Sequence, residues 1–366
     1  MGALSAKPPT PAVMTVSVFD NPWLKGLFSD PEMAAILSPQ RTVDHMLSFE
    51  ASWSRACGKV GLFNAADAEA AARAITDAHI DLDDLAEGTA QDGLPIPRLV
   101  KQLKLLAPAA AVHQGATSQD VMDTAMVLSM REASNLIAAR LNLICTLLND
   151  LENRFGEMPL MGRTRMQAAT MIAVRDRLHT WRSPLVGHIS RLAEIRPRVE
   201  RVQIGGASGD RNSLGDRQDK VVADIAAMLG LAPTAKAWHA MREGMVEYAG
   251  WLSLVSGSLG KFGQDLVLMA QQGIDEVALS GTGGSSAMSH KRNPVAAELL
   301  ITLARFNAVQ VGAMHHAMIH EQERSGAAWS LEWMVLPQML MATGRATATT
   351  VEICNGIERM GNPSSA

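Results

Sequence analysis

Residues 121–155, VMDTAMVLSMREASNLIAARLNLICTLLNDLENRF, contain neither glycine nor proline. Within them Met122, Ala125, Ala133, Ile137, Ile144, Leu147, Leu151 and Phe155 recur at helical spacing, which predicts one unbroken α-helix. At its rise per residue such a helix runs roughly 50 Å, longer than a small domain is wide. Similar patterns follow at 166–195, 245–272, 294–322 and 331–358. Pro184, Gly187 and the glycines within 250–263 are expected to kink or loosen two of these segments. Long helices with apolar residues on more than one face need partners, so the pattern predicts a bundle and an obligate oligomer.

Before this bundle the texture is different. Pro31, Pro39, Gly61, Gly88, Gly93, Pro95, Pro97 and Pro108 punctuate modest helices. Thr42–Val60 is amphipathic, with Met46, Phe49, Trp53 and Ala56 three or four apart. Four regions are expected: a disordered Pro-rich leader (1–14), an N-terminal helical domain (15–110), a central long-helix domain (111–358) and a tail (359–366).

Composition narrows the function classes. The 366 residues carry 33 basic and 37 acidic groups, net −4, which does not favour a nucleic-acid surface. The leader lacks the apolar core of a signal peptide, and no unbroken run of 18 apolar residues predicts a membrane span. Cys57, Cys145 and Cys354 are odd in number and far apart, which suits a reducing cytoplasm and small buried hydrophobes better than disulfides. His315, His316 and His320 lie near Glu321 and Glu323, but adjacent histidines diverge on a helix and HExxH is absent, so no metal is expected. Residues 203–209, QIGGASG, lack GxGxxG and are read as a turn or a close packing point.

Three segments could carry chemistry. In HQGATSQDVMDT (113–124), Thr117 and Asp120 have capping-box spacing. Read alone it is a plain helix start; with its hydroxyls and free N–H groups it is also a carboxylate site. In GRTRMQ (162–167), two arginines, a hydroxyl and an amide cluster, either as a solvated helix start or as a carboxylate clamp. GTGGSSAMSHKRNP (281–294) is a Gly/Ser loop followed by His290, Lys291 and Arg292, with Asn293 as N-cap and Pro294 at N1 of the next helix. A flexible serine loop, a lysine and a helix N-terminus together suit a substrate whose negative charge grows during reaction.

The third segment closely resembles the GSSxMPxKxNP loop of the aspartase/fumarase superfamily; the first resembles that family's TS region, and GRTRMQ its GRTHxQ region. The resemblance covers roughly residues 40–350. It implies an all-α, fumarase/aspartase-like long-helix bundle, a homotetramer with a shared 20-helix core, and active sites built from three subunits. It implies Ser285 as the proton-transferring serine, with Lys291 and Asn293 holding a substrate carboxylate. Further ligand contacts carried over are His113, Thr117, Ser118, Thr164, Arg165, Gln167, Ser286, Met288, His290 and Arg324, with Glu298 in support and no metal or cofactor. The family's third, C-terminal helical domain is expected to be largely absent, because the last helical pattern ends near Arg359.

Two positions depart from the family pattern: Arg165 replaces the histidine of GRTH, and Ser289 replaces the proline of xMPxK. HQGATSQDVMDTA, GSSAMxHKRNPV and HEQERSGAAWSLEW (320–333) look most like the 3-carboxymuconate cycloisomerases, which act in bacterial protocatechuate breakdown. Their chemistry accounts for the missing histidine. In reverse, lactone opening expels a carboxylate of pKa roughly 4, which leaves without a general acid. The expected substrate is therefore a small di- or tricarboxylate, with no nucleic-acid or membrane partner. Two other readings stay open: an adenylosuccinate-lyase-like elimination enzyme, and a non-catalytic helical scaffold. Arg165 is expected to lie near Glu298 or to meet a substrate carboxylate.

Overall fold

The computed structural model describes residues 15–280 and 293–362. Six helices come first: α1 (Lys25–Phe28), α2 (Pro31–Ile36), α3 (Pro39–Lys59), α4 (Ala65–Thr76), α5 (Leu82–Asp92) and α6 (Ile96–Leu106). Pro31 and Pro39 open their helices behind the Asp30 and Ser38 caps, and Gly93 closes α5 at φ 78°, a conformation without side-chain penalty only for glycine. On α3, Met46, Phe49, Trp53 and Ala56 are all buried, as their spacing predicts.

The glycine-free stretch is one helix, α7 (Ser118–Phe155), of 38 residues, about 57 Å long. Then come β1 (Pro159–Thr164), β2 (Gln167–Ala173), α8 (Val174–Val199), α9 (Gln218–Leu229), α10 (Glu243–Met269), β3 (Val277–Leu279), α11 (Val295–Ala317), α12 (Gly326–Gly356) and β4 (Ile357–Met360). Helices α7, α8, α10, α11 and α12 pack together as the predicted bundle. Buried polar links fix their register. Asn307 Nδ2 donates to Ser256 Oγ at 3.1 Å and Thr343 Oγ1 at 2.9 Å, tying α11 to α10 and α12. Trp181 Nε1 donates to Asp265 Oδ2 at 2.8 Å between α8 and α10.

Four local expectations change. The segment from 166 is not helical throughout: residues 167–173 form β2, an antiparallel partner of β1, before α8 begins. The glycines of α10 do not interrupt it. A Cβ on Gly260 would lie 2.5 Å from Ala304 Cβ, and one on Gly263 2.5 Å from the Ala297 carbonyl oxygen, so these glycines let α10 and α11 approach closely. Helix α11 starts at Val295 rather than at Pro294, because Pro294 holds a non-helical ψ of 57°. Finally, α12 stops at Gly356, and the residues expected to continue it pair as β4 with β3. The architecture stays helical, with two two-stranded sheets among the described residues. Helix α11 is long and apolar enough to cross a membrane by length and composition; here it packs against α10 and α12.

Candidate active site

The α7 N-terminus gathers the first segment. Asp120, fully buried, accepts from the Thr117 N–H at 3.1 Å, the Gly205 N–H at 2.8 Å and the Gly206 N–H at 3.0 Å, and its Oδ1 lies 2.8 Å from His239 Nε2. One carboxylate thus locks the helix start to the Gly-rich turn. That turn needs its glycines: Gly206 has φ 67°, and a Cβ on Gly205 would sit 2.5 Å from His239 Cε1. Thr117 and Ser118 are half-buried beside the free N–H groups of the first turn. Arg324 reaches the same turn, donating to the Ala207 carbonyl at 3.0 Å.

One turn further along α7 lies a buried ion cluster. Arg242 donates to both oxygens of Asp123, at 2.7 and 3.1 Å, and through Nε to Glu332 Oε1 at 2.8 Å. Trp329 Nε1, Gln119 Nε2 and Gln203 Nε2 also donate to Asp123, at 2.9, 3.1 and 3.2 Å. Burial alone would push the Arg242 guanidinium down, but the two carboxylates outweigh it and hold it above its ordinary value. His320 sits 3.7 Å from Glu332. The cluster borders an apolar cavity of about 310 Å³ lined by Met122, Met126, Met245 and Trp333. Its two carboxylates, Asp123 and Glu332, are already engaged by Arg242, so the cavity offers no free acid for catalysis. A wider hollow of about 620 Å³ between α3, α4 and α9 is bordered by the Arg55–Glu69 and Lys59–Asp224 pairs and holds none of the expected site residues. No group of three or more metal-ligating side chains occurs among the described residues.

The second segment lies at the opposite end. The β1–β2 hairpin begins at Pro159, just past the α7 C-terminus, with Thr164, Arg165 and Gln167 exposed at its tip. Arg165 and Met166 both have positive φ, 49° and 65°, the signature of a two-residue mirror-image hairpin turn that ordinarily takes Asn-Gly. Within one chain no ion pair joins Arg165 to Glu298, which is exposed in the first turn of α11. Arg163 instead bonds buried Glu276 at 2.5 Å.

That bond and the Asn362 N–H to Pro159 carbonyl bond, 2.9 Å, put the start of β3 at the hairpin end. Ser280 and Pro294 share one small hollow there, so half-buried Asn293 also belongs to this end. Ser285, Ser286, Met288, His290 and Lys291 lie outside the described residues. The chain therefore brings His113, Thr117, Ser118 and Arg324 together, and holds Thr164, Arg165, Gln167, Asn293 and Glu298 apart from them, about the length of α7 away. Sequence reading quoted Asp123 and Glu332 inside the 113–124 and 320–333 segments without giving them a role, and missed Glu50, which meets His113 at 2.5 Å, His239 and Arg242. The contacts of these three span many tens of residues, so no local signal marks them.

This bundle, with the 113–124 and 162–167 segments at opposite ends of its longest described helix, is that of the fumarase/aspartase-type lyases. A lyase family profile matches residues 28–309, and the chain belongs to that family. It is 37% identical over 340 residues to a 3-carboxy-cis,cis-muconate cycloisomerase of Pseudomonas aeruginosa, covering 90% of this chain and 74% of that protein. It is also 37% identical over 354 residues to the cycloisomerase of Pseudomonas putida, covering 94% and 83%. The crystal structure of the 3-carboxy-cis,cis-muconate lactonizing enzyme from Pseudomonas putida superposes with a TM-score of 0.86 at 36% identity, over 91% of this chain and 77% of that one.

Proposed function

We propose that this protein is a cycloisomerase that converts 3-carboxy-cis,cis-muconate to 4-carboxymuconolactone in cytoplasmic protocatechuate breakdown. The observation that carries the reading is the α7 N-terminus, where His113, Thr117, Ser118 and Arg324 converge on a helix end that favours anions. The relatives narrow the anion to a carboxylated muconate. In this reading one substrate carboxylate attacks across a double bond, and enediolate charge builds on a neighbouring carboxyl group. Lys291, Asn293 and the α11 N-terminus hold that charge, and Ser285 delivers a proton to carbon.

The site is completed by other copies of the chain. Segments about 57 Å apart on one helix cannot meet the same small substrate, which supports a homotetramer that pools them. Leu143, Val186, Leu254, Val309 and Met334, one on each long helix, are 46, 52, 53, 75 and 66% exposed in the single chain. Such apolar surface along a whole bundle favours association. In the assembly Arg165 compensates Glu298 of another copy or clamps a substrate carboxylate.

The test is loss of the conjugated-diene absorbance of 3-carboxy-cis,cis-muconate, with the lactone identified by NMR and the assembly mass read by light scattering. Turnover by a particle of about four chain masses is expected. Fumarate release from adenylosuccinate would move the activity to elimination, and no turnover of any family substrate would favour a scaffold.

A further inference from the structure

We propose that Glu50 is a positioning residue that keeps His113 protonated on both ring nitrogens, so that its Nε2–H binds one carboxylate of the substrate. The inference rests on the reading of this end as a polycarboxylate site. It begins with α3. Glu50, Trp53 and Ser54 lie three and four residues apart, hence on one face of the helix. All three reach the loop before α7. Ser54 Oγ donates to the Ala111 carbonyl at 2.7 Å, Trp53 Nε1 to the Gln114 carbonyl at 3.1 Å, and Glu50 Oε1 meets His113 Nδ1 at 2.5 Å. The loop is held against its own preference, since His113 has φ 58°, a conformation that costs a non-glycine residue about 1–2 kcal/mol. Such strain persists only where the surroundings fix it.

The Glu50 side chain is fully buried, and its other oxygen, Oε2, has no hydrogen-bond partner. A buried carboxylate in that position is tolerable only with a cation beside it. His113 is that cation. Its Nδ1 is committed to Glu50, so the remaining nitrogen decides its chemistry. Neutral, Nε2 is an acceptor and repels an oxyanion; protonated, it is a donor and attracts one. The charged groups acting on His113 come from three elements: Glu50 on α3, Asp120 at the start of α7 and Lys104 on α6. Burial pulls the imidazole down and Lys104 opposes protonation, but the charge and hydrogen bond of Glu50, with the charge of Asp120, hold it above its ordinary value. Asp120 cannot replace Glu50, because three backbone N–H groups and His239 already occupy it. Glu50 therefore acts through His113 and sets the pH range in which this end accepts an anion.

The experiment follows His113 by NMR in the full chain labelled at histidine Cε1, with the signal assigned by His113→Gln. It is run beside calorimetric binding of tricarballylate, an inert tricarboxylate. The expected His113 midpoint lies above about 6.5 and falls by about one unit or more in Glu50→Gln. Tricarballylate affinity should drop about tenfold as pH rises through that midpoint, and the drop should move to lower pH with the variant. A purely structural Glu50 would weaken the fold without moving either midpoint. Equal midpoints in the two proteins, or affinity that ignores the His113 titration, overturns the proposal. Should Glu50→Gln not fold, a native midpoint at or below about 6.5 overturns it alone. A failed lactonisation assay with both titrations as expected counts against the named substrate and for the pair.

Discussion

The two ends of α7 are built differently. At the N-terminus, charges are buried and matched within the chain: Asp120 takes four donors, and Arg242 is wedged between Asp123 and Glu332. At the C-terminal end the hairpin carries Thr164, Arg165 and Gln167 into the open on a strained turn. One end is locked into the chain's own core. The other is presented outward, with its polar groups exposed. The difference teaches that one chain holds its two motif ends apart on a single long helix; a site that needs both, as proposed, has to draw them from different copies.

The comparison breaks first at Arg242. Its removal leaves Asp123 and Glu332 buried without a counter-charge, so Arg242→Met should cost about 3–5 kcal/mol of stability, read by denaturant unfolding. A loss below about 1 kcal/mol would mean that this end is not the rigid one. Next is Ser285→Ala, expected to lower kcat by about 10²-fold with little change in substrate binding. Near-normal kcat would remove this serine from the proton transfer. The smallest effect belongs to the hairpin. Met166→Gly relieves a left-handed backbone and should raise stability by about 1 kcal/mol or less, measured as a shift in unfolding midpoint. A destabilised protein would show that Met166 is packed against another copy and that its side chain outweighs the strain.

Much of this was legible in the sequence. The unbroken pattern from Val121 to Phe155 specified α7, and Thr117 with Asp120 marked its cap, because both signals are local. The hairpin was not legible. Arg165-Met166 is a poor turn pair by local preference, and GRTRMQ reads as easily as a helix start; pairing with residues 159–164 decides it. The glycines of α10 misled for a related reason. In isolation they weaken a helix, while in the bundle Gly260 and Gly263 admit Ala304 and Ala297. The ion cluster was invisible because Asp123, Arg242 and Glu332 are 119 and 90 residues apart along the chain.

The central claim is that each active site is shared between copies, and hybrid tetramers test it most directly. Two inactive variants are prepared, Thr117→Ala with Ser118→Ala in one chain and Ser285→Ala in another, then dissociated and reassembled at equal concentrations. If the two segments of a site come from different copies, random mixing gives about a quarter of the sites both intact segments. Lactonisation should then recover to about a quarter of the native rate per site. No recovery in mixed particles, verified by mass spectrometry to contain both chains, would contradict the account and return each site to a single chain.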